Sequence, residues 1–259
     1  MRRAAIALVS LAMIGASGGA AALDRECAKL REQRLARASV VAADEIAGGS
    51  FVAPDDARVG VPRFCRVQAD ARPTADSQIR FELWMPASGW NGRYYQLGNG
   101  GYAGSISYAA LAAELRRGNA VAATDTGHTG GPFDAAWALG HPERIVDYGW
   151  RSLKETFDGA QALIRAYYGT SASHRYFNGC SNGGRQALML AQRFPADWDG
   201  ILAGAPALNW TAQLASFALI QYVLRSDPEN WIGPAKLHAI QRAALGSCAP
   251  AARVRDGIP

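Results

Sequence analysis

The run Gly179-Cys180-Ser181-Asn182-Gly183 fits the pattern G-x-S-x-G, a spacing with a specific mechanical meaning. A strand that turns sharply into a helix holds the central serine in a strained conformation, with its hydroxyl raised above the sheet. The glycines two residues before and after keep side chains out of the close strand-to-helix approach. The main-chain N–H of Asn182, at the start of the helix, then points to where negative charge develops when a carbonyl is attacked, and the helix dipole adds to its effect. These residue types predict nucleophilic acyl transfer, with Ser181 as nucleophile and Asn182 as one oxyanion donor. In a chain with 28 glycines the pentapeptide alone could arise by accident. Its neighbours argue otherwise: residues 174–178 read as a strand, and Gly184 to Phe194 reads as a helix.

A serine nucleophile needs a base and an acid, which in this strand–turn–helix setting follow in the order Ser, acid, His. Downstream of Ser181 stand one histidine, His238, and the aspartates Asp197, Asp199, Asp227 and Asp256. Asp227 with His238 satisfies the order, but His238 lies inside a helical stretch, Pro234 to Leu245, where histidines are more often structural or solvated. The alternative expectation is that both partners lie beyond Pro259, which makes the chain as given nearly inactive by itself. A second oxyanion donor is expected in a loop after an earlier strand, and two glycine-rich loops compete, Gly98 to Gly104 and Gly127 to Gly131. Asp125 and His128 are assigned no role.

These groups need a scaffold, and the periodicities supply one. Residues 24–42 read as helical at least in part. Phe64 to Ala71, Gln78 to Met85, Arg93 to Leu97, Ala120 to Thr124, His174 to Asn178 and Gly200 to Ala205 read as strands. Tyr108 to Arg117, closed by Gly118, reads as a helix. So does Asp147 to Tyr168, where Leu153, Phe157, Ala160, Leu163, Ile164 and Tyr167 recur at spacings of three and four before Gly169. Strands alternating with helices predict a mostly parallel sheet covered on both faces. From Asn209 onward the pattern turns to helices with the aromatic residues Trp210, Phe217, Tyr222 and Trp231.

Residues 177–210, reading FNGCSNGGRQALMLAQRFPADWDGILAGAPALNW, resemble the tannase and feruloyl esterase family. Trp90 to Arg93, the loop Gly98 to Gly104 and Thr124 to His128 are similar to segments of the same family, and the likeness runs from Cys27 to Pro259. The resemblance implies an α/β-hydrolase core over residues 23–208 and an inserted lid domain that begins at 209–259, with the C-terminal part of the fold missing. It implies a serine carboxylesterase acting on aromatic acyl esters, feruloyl, galloyl or related, with a small aromatic ester or a plant-polysaccharide or tannin ester as substrate. The loop Gly98 to Gly104 matches the family's oxyanion loop, which selects Gly101, with Gly100 as the alternative. The resemblance also implies a bond from Cys180 to a cysteine beside the catalytic histidine, outside this chain. The segment after Cys248 is similar to a calcium loop in the family's lid, where Asp256 would supply a carboxylate and Val254 and Ile258 main-chain oxygens. Ala249 and Ala252 stand where the family usually has aspartates, which weakens such a site for a cation that takes six or more oxygens.

Composition narrows the setting. A basic head, Met1-Arg2-Arg3, an apolar stretch from Ala4 to Ile14 and small residues ending at Ala22 have the layout of a signal peptide over residues 1–22. That predicts a periplasmic or secreted protein. The apolar stretch is too short and too rich in Gly and Ala to span a membrane, and no later segment reads as transmembrane. Export makes the four cysteines candidates for disulfides. Cys27 and Cys65, both upstream of the core, are expected to pair, Cys248 to find a partner past the end, and a Cys180–Cys248 bond stays open. The formal charge of +5 falls to +3 once Arg2 and Arg3 are removed, with no dense basic run, so nucleic-acid binding is not implied. A lipase or acyltransferase on the same fold, or a binding protein that has lost catalysis, remain the competing readings.

Overall fold

The computed structural model describes residues 27–248, so the signal-peptide expectation over 1–22 and the calcium expectation at Val254, Asp256 and Ile258 lie outside the described residues. The chain parts into two compact units after Pro206. The first is built on a seven-stranded sheet of order β1-β4-β5-β7-β6-β8-β9. Its strands are β1 (Ala38–Ile46), β4 (Phe64–Ala71), β5 (Ile79–Pro86), β6 (Arg93–Leu97), β7 (Ala120–Thr124), β8 (His174–Cys180) and β9 (Gly200–Gly204), while β2 (Gly49–Val52) and β3 (Arg58–Val61) form a separate hairpin. β7, β6, β8 and β9 pair in parallel, and β7-β5, β5-β4 and β4-β1 pair antiparallel. Five of the seven strands therefore run the same way, and only β1 and β5 oppose them.

Side chains alternate across β5, and the alternation sorts the core into two layers. Ile79, Phe81, Leu83 and Met85 are buried on one face, against the inward stripe of α3 (Ser152–Tyr168) formed by Leu153, Phe157, Ala160, Leu163, Ile164 and Tyr167. Ala187 and Leu190 of α4 (Asn182–Arg193) join the same layer. Trp84 points to the other face, with Phe64, Val121 and Ala123, and meets Tyr108, Leu111, Ala112 and Leu115 of α1 (Tyr108–Arg116). Glu82 shares that second face, although it is a buried carboxylate. It is satisfied by a two-pronged bond from Arg66 at 2.8 and 2.6 Å, by the Trp84 indole N–H at 2.8 Å and by the Tyr108 hydroxyl at 3.1 Å. A buried charge is tolerated only with such partners, and this one pins α1 to β5.

The structure refines two expectations. The stretch expected to be helical in part is so: within the described residues a helical turn over 27–29 runs into a 3-10 turn at Leu30–Glu32, and β1 begins at Ala38. From Ala38 onward the ladder offered by β4 outweighs the local helical spacing: every β1 residue except Val41, which sits in a bulge, is paired with a β4 residue. The helix expected from Asp147 differs. A short helix, α2 (Pro142–Val146), leads into a wider π turn at Asp147–Arg151 before regular helix begins at Ser152. The expected disulfide is formed: Cys27 and Cys65 are bonded with Cα atoms 5.6 Å apart, both fully buried, which ties the N-terminal segment to β4. Gly169 closes α3 in the left-handed conformation, as its place after Tyr168 requires.

In the second unit the described residues form α5 (Trp210–Ser226), a short turn at Pro228–Asn230, and α6 (Pro234–Cys248). None of α5 is buried, and Phe217, Tyr222 and Trp231 are exposed. Among the described residues no helix is long and apolar enough to cross a membrane.

Candidate active site

The parallel strands β6, β7, β8 and β9 end at one edge of the sheet, and the glycine-rich segments meet there. β8 runs to Cys180, Ser181 makes the bend, and α4 starts at Asn182. Ser181 has φ 62° and ψ −119°, a region that non-glycine residues enter only under strain, at a cost of roughly 1 to 3 kcal/mol. Two main-chain bonds hold it there. The Ser181 N–H donates to the Gly204 carbonyl at the end of β9 at 3.0 Å, and the Ser181 carbonyl accepts from the Arg185 N–H at 3.1 Å. The side chain is exposed, while Asn182, Gly183 and Gly184 beside it are buried.

The glycines around the bend are dictated by contact. A Cβ on Gly179 would lie 2.4 Å from the Gly183 carbonyl oxygen, and one on Gly184 would lie 2.3 Å from that of Gly204. Gly98, at the end of β6, packs its Cα face against both Gly183 and Gly179, where a Cβ would meet carbon atoms at 2.8 and 3.1 Å. Chain approaches this close leave no room for any side chain.

The loop after β6 is clamped onto this bend. Gln186 of α4 accepts from the Asn99 N–H at 3.0 Å and donates to its side-chain oxygen at 3.3 Å, and the Asn99 amide donates to the carbonyls of Thr124 and Ser105 at 2.8 and 3.1 Å. Gly100 and Ala103 close a turn, with the Ala103 N–H on the Gly100 carbonyl at 2.9 Å. A trans peptide points its C=O and N–H in opposite directions. Pinning the Gly100 carbonyl on one side therefore aims the Gly101 N–H at the other. Gly101 itself has φ 53°, and a Cβ there would stand 2.2 Å from the Pro132 carbonyl oxygen, so only glycine fits. Among the described residues the N–H groups of Gly101 and Asn182 donate to no main-chain carbonyl.

The loops Gly98 to Gly104 and Gly127 to Gly131, alternatives in the sequence, are bonded side by side. The Gly130 N–H donates to the Gly104 carbonyl at 3.2 Å, and the Tyr102 N–H to that of Pro132 at 2.9 Å. Asp125 holds the base of the second loop by accepting the N–H groups of Gly127 and Arg80 at 2.8 and 3.0 Å. His128 is buried, stacks on Trp137 with ring centres 3.9 Å apart, and shares a 2.7 Å bond with the Tyr102 carbonyl.

Burial pushes the Asp125 carboxyl up to about 7, against the opposing pull of the Gly127 and Arg80 N–H donors and the Arg80 charge. In an unfolded chain the same group titrates near about 3.9. Between those values the folded state keeps a proton that the unfolded state has lost, so this group makes stability fall as pH rises across the window. Asp125→Asn is expected to flatten that fall. Melting temperatures across the window should move in the variant's favour as pH increases, and a constant difference would contradict the assignment.

Tyr148 and Arg185, which carry no assigned role in the sequence, cross-link the site. The Tyr148 hydroxyl, in the π turn, lies 3.0 Å from the Gly101 carbonyl and 3.0 Å from the Asn182 side-chain oxygen. Arg185 donates to that same oxygen at 2.7 Å and to the carbonyls of Gly149 and Tyr148 at 3.0 and 3.2 Å, with its guanidinium 4.8 Å above the Tyr148 ring. Arg185 lies within the family-like stretch 177–210, but no local pattern marks Tyr148 because its role depends on tertiary contact. Of the remaining expected groups, Cys180 is an exposed free thiol, and the side chain of Cys248 is not among those described. Asp227 caps the turn after α5 by accepting the Glu229 N–H at 2.8 Å, and His238 is exposed on α6. Among the described residues no cluster of three or more side chains suits a metal ion.

Chemically, an exposed hydroxyl on a strained bend, beside a helix N-terminus, can attack a carbonyl and have the resulting charge held. The profile of the family described as "Tannase and feruloyl esterase" matches residues 65–258. An uncharacterized esterase of Xanthomonas campestris pv. campestris is 41% identical, over 98% of this chain and 44% of its own length. The mono(2-hydroxyethyl) terephthalate hydrolase of Piscinibacter sakaiensis is 34% identical over 83% of this chain and 40% of its own. The crystal structure of feruloyl esterase B from Aspergillus oryzae superposes with a TM-score of 0.83 at 27% identity, covering 91% of this chain and 48% of that one. The chain thus spans less than half the length of these relatives.

Proposed function

The chain belongs to the tannase and feruloyl esterase family, and from that premise we propose that Ser181 is the nucleophile of a carboxylic ester hydrolase acting on aromatic acyl esters, feruloyl, galloyl or related. The observation that carries the reading is the Ser181 bend, strained at φ 62° with its hydroxyl exposed and the buried start of α4 directly behind it.

In this reading the Ser181 oxygen bonds to the ester carbonyl carbon while its proton passes to a general base. The charge that develops on the carbonyl oxygen is held by the N–H groups of Asn182 and Gly101. Collapse breaks the bond to the alcohol, which leaves with the proton, and water then hydrolyses the acyl-serine by the same route. The base and its orienting acid are assigned to sequence beyond Pro259. The support is twofold: the chain spans 44% of its Xanthomonas relative, and Asp227 is engaged as a turn cap in a unit where His238 faces solvent. The buried Cys27–Cys65 bond supports export to an oxidising compartment.

The test is turnover of methyl ferulate and methyl gallate by the full-length protein. Release of the free aromatic acids supports the reading. Acyl transfer to alcohols without hydrolysis, or binding of either ester without reaction, counts against it. The Gly101 assignment carries its own expectation. In Gly101→Ala the new Cβ must move away from Pro132, displacing the donor, and kcat should fall by about 100-fold with KM little changed. Steady-state kinetics on methyl ferulate measures this, and an unchanged kcat would remove Gly101 from the site.

A further inference from the structure

We propose that the Tyr148 hydroxyl is a positioning group for the oxyanion site, a cross-link that holds the Gly101 loop and the Asn182 turn at the spacing one carbonyl oxygen requires. The inference rests on the reading of Ser181 as nucleophile and names the device that keeps its two amide donors together.

The two donors come from segments far apart in sequence, and each is fixed within its own loop. Nothing in those local bonds sets the distance between the loops. The Asn99–Gln186 pair does so near the end of β6, and Tyr148 does so at the donors themselves. Its hydroxyl touches the carbonyl of the residue that carries one donor and the side chain of the residue that carries the other, both at 3.0 Å. A phenol has one proton, so the two contacts share it as a three-centre bond.

The acceptor on the Asn182 side is itself held. Arg185 donates to the same oxygen at 2.7 Å, which fixes which end of the Asn182 amide faces Tyr148. Arg185 also binds the main chain of the π turn at Tyr148 and Gly149 and covers the Tyr148 ring, so the phenol cannot swing out without breaking several bonds. The π turn explains how the residue arrives there. Widening the helix by one residue per turn at Asp147–Arg151 changes the direction in which Tyr148 leaves the helix, a geometry often retained where a side chain must be aimed. Burial raises the Tyr148 hydroxyl to about 12, so it remains a donor at any working pH.

A brace of this kind acts on the charged oxygen alone. The experiment compares methyl ferulate with its thionoester, in which sulfur replaces the carbonyl oxygen and accepts hydrogen bonds weakly. In the full-length protein, Tyr148→Phe should lower kcat for the oxygen ester by about 10- to 100-fold, leave KM within about 2-fold, and lower kcat for the thionoester by less than about 3-fold. The ring, its contact with Arg185 and the packing on Trp137 are kept, so the melting temperature should move by no more than about 4 °C. If the phenylalanine variant melts below the assay temperature, Asn182→Ala carries the same test, because it cuts the cross-link at its other end and leaves the Asn182 N–H in place. Equal losses on both esters, or no loss on either, overturn the proposal. If the parent hydrolyses neither ester, or Ser181→Ala still does, the reading of Ser181 fails and this inference falls with it. An active parent, a dead Ser181→Ala and an unselective Tyr148→Phe would reject the Tyr148 role alone.

Discussion

Ser181→Ala is expected to lower kcat for ester hydrolysis by about ten-thousand-fold or more in the full-length protein, with no loss of folded structure. In the proposed mechanism the hydroxyl oxygen forms the covalent bond, and neighbouring amides cannot replace it. Its removal also costs nothing in packing, because the side chain is exposed and its oxygen takes part in no described hydrogen bond that supports the fold. The main-chain bonds that hold the bend, from Gly204 and to Arg185, do not depend on the side chain. Ser181→Gly sharpens the expectation. Glycine adopts φ 62° without steric cost, so this variant should be equally inactive yet more stable than Ser181→Ala by about 1 kcal/mol. A residue that is exposed and held in a strain that glycine would relieve is one whose conformation serves chemistry rather than folding. Kinetics on methyl ferulate together with thermal melts of the three proteins check both halves.

The second large effect is on stability. Replacing Cys27 and Cys65 together by alanine should cost about 4 kcal/mol and lower the melting temperature by about 8 to 16 °C, while leaving kcat nearly unchanged. The bond closes a sequence separation of 38 residues, and in the chain-entropy account a loop of that size restricts the unfolded ensemble by about that amount. Both residues are fully buried, so the lost bond is not replaced by solvation of either end. Cys65 lies on β4 between Glu45 of β1 and Met85 of β5. The staple therefore holds the antiparallel half of the sheet, away from the β8–α4 bend. Melting in the presence and absence of reductant gives the same comparison without mutation. Equal melting temperatures would show that the unfolded chain is already restricted by other means.

The parallel half of the fold was legible because its signals are local. Ala120–Thr124 is a short, mostly apolar run before a polar turn, and Arg93–Leu97 is a tyrosine-containing run between Gly92 and Gly98; both appear as strands with those bounds. The apolar stripe of α3 repeats at helical spacing over more than four turns. β1 was missed because residues 38–46 alternate only weakly between buried and exposed positions at the sheet edge, and the partner strand decides their conformation. The hairpin β2–β3 was missed for a similar reason: its strands are four residues each, and its turn depends on Asp55 accepting the Ala57 N–H.

The site divides along the same line. Ser181 and Asn182 were readable because five consecutive residues encode a bend whose shape is almost entirely local. The choice of Gly101 rests on a likeness to known sequences, since the glycines of the two loops look alike in composition and the bonds that join the loops depend on tertiary contact. Tyr148 could not be found, because a tyrosine near the start of a helix has no local mark. Its position relative to Gly101 and Asn182 follows from the packing of the π turn on α4, which is a property of the whole domain.

The most direct test is to react the full-length protein with an aryl phosphonate ester and locate the adduct by peptide mass spectrometry. The account predicts a single phosphonyl group on Ser181, formed as ester hydrolysis is lost, and absent from Ser181→Ala. An adduct on another serine, or loss of hydrolysis with Ser181 unmodified, would contradict it.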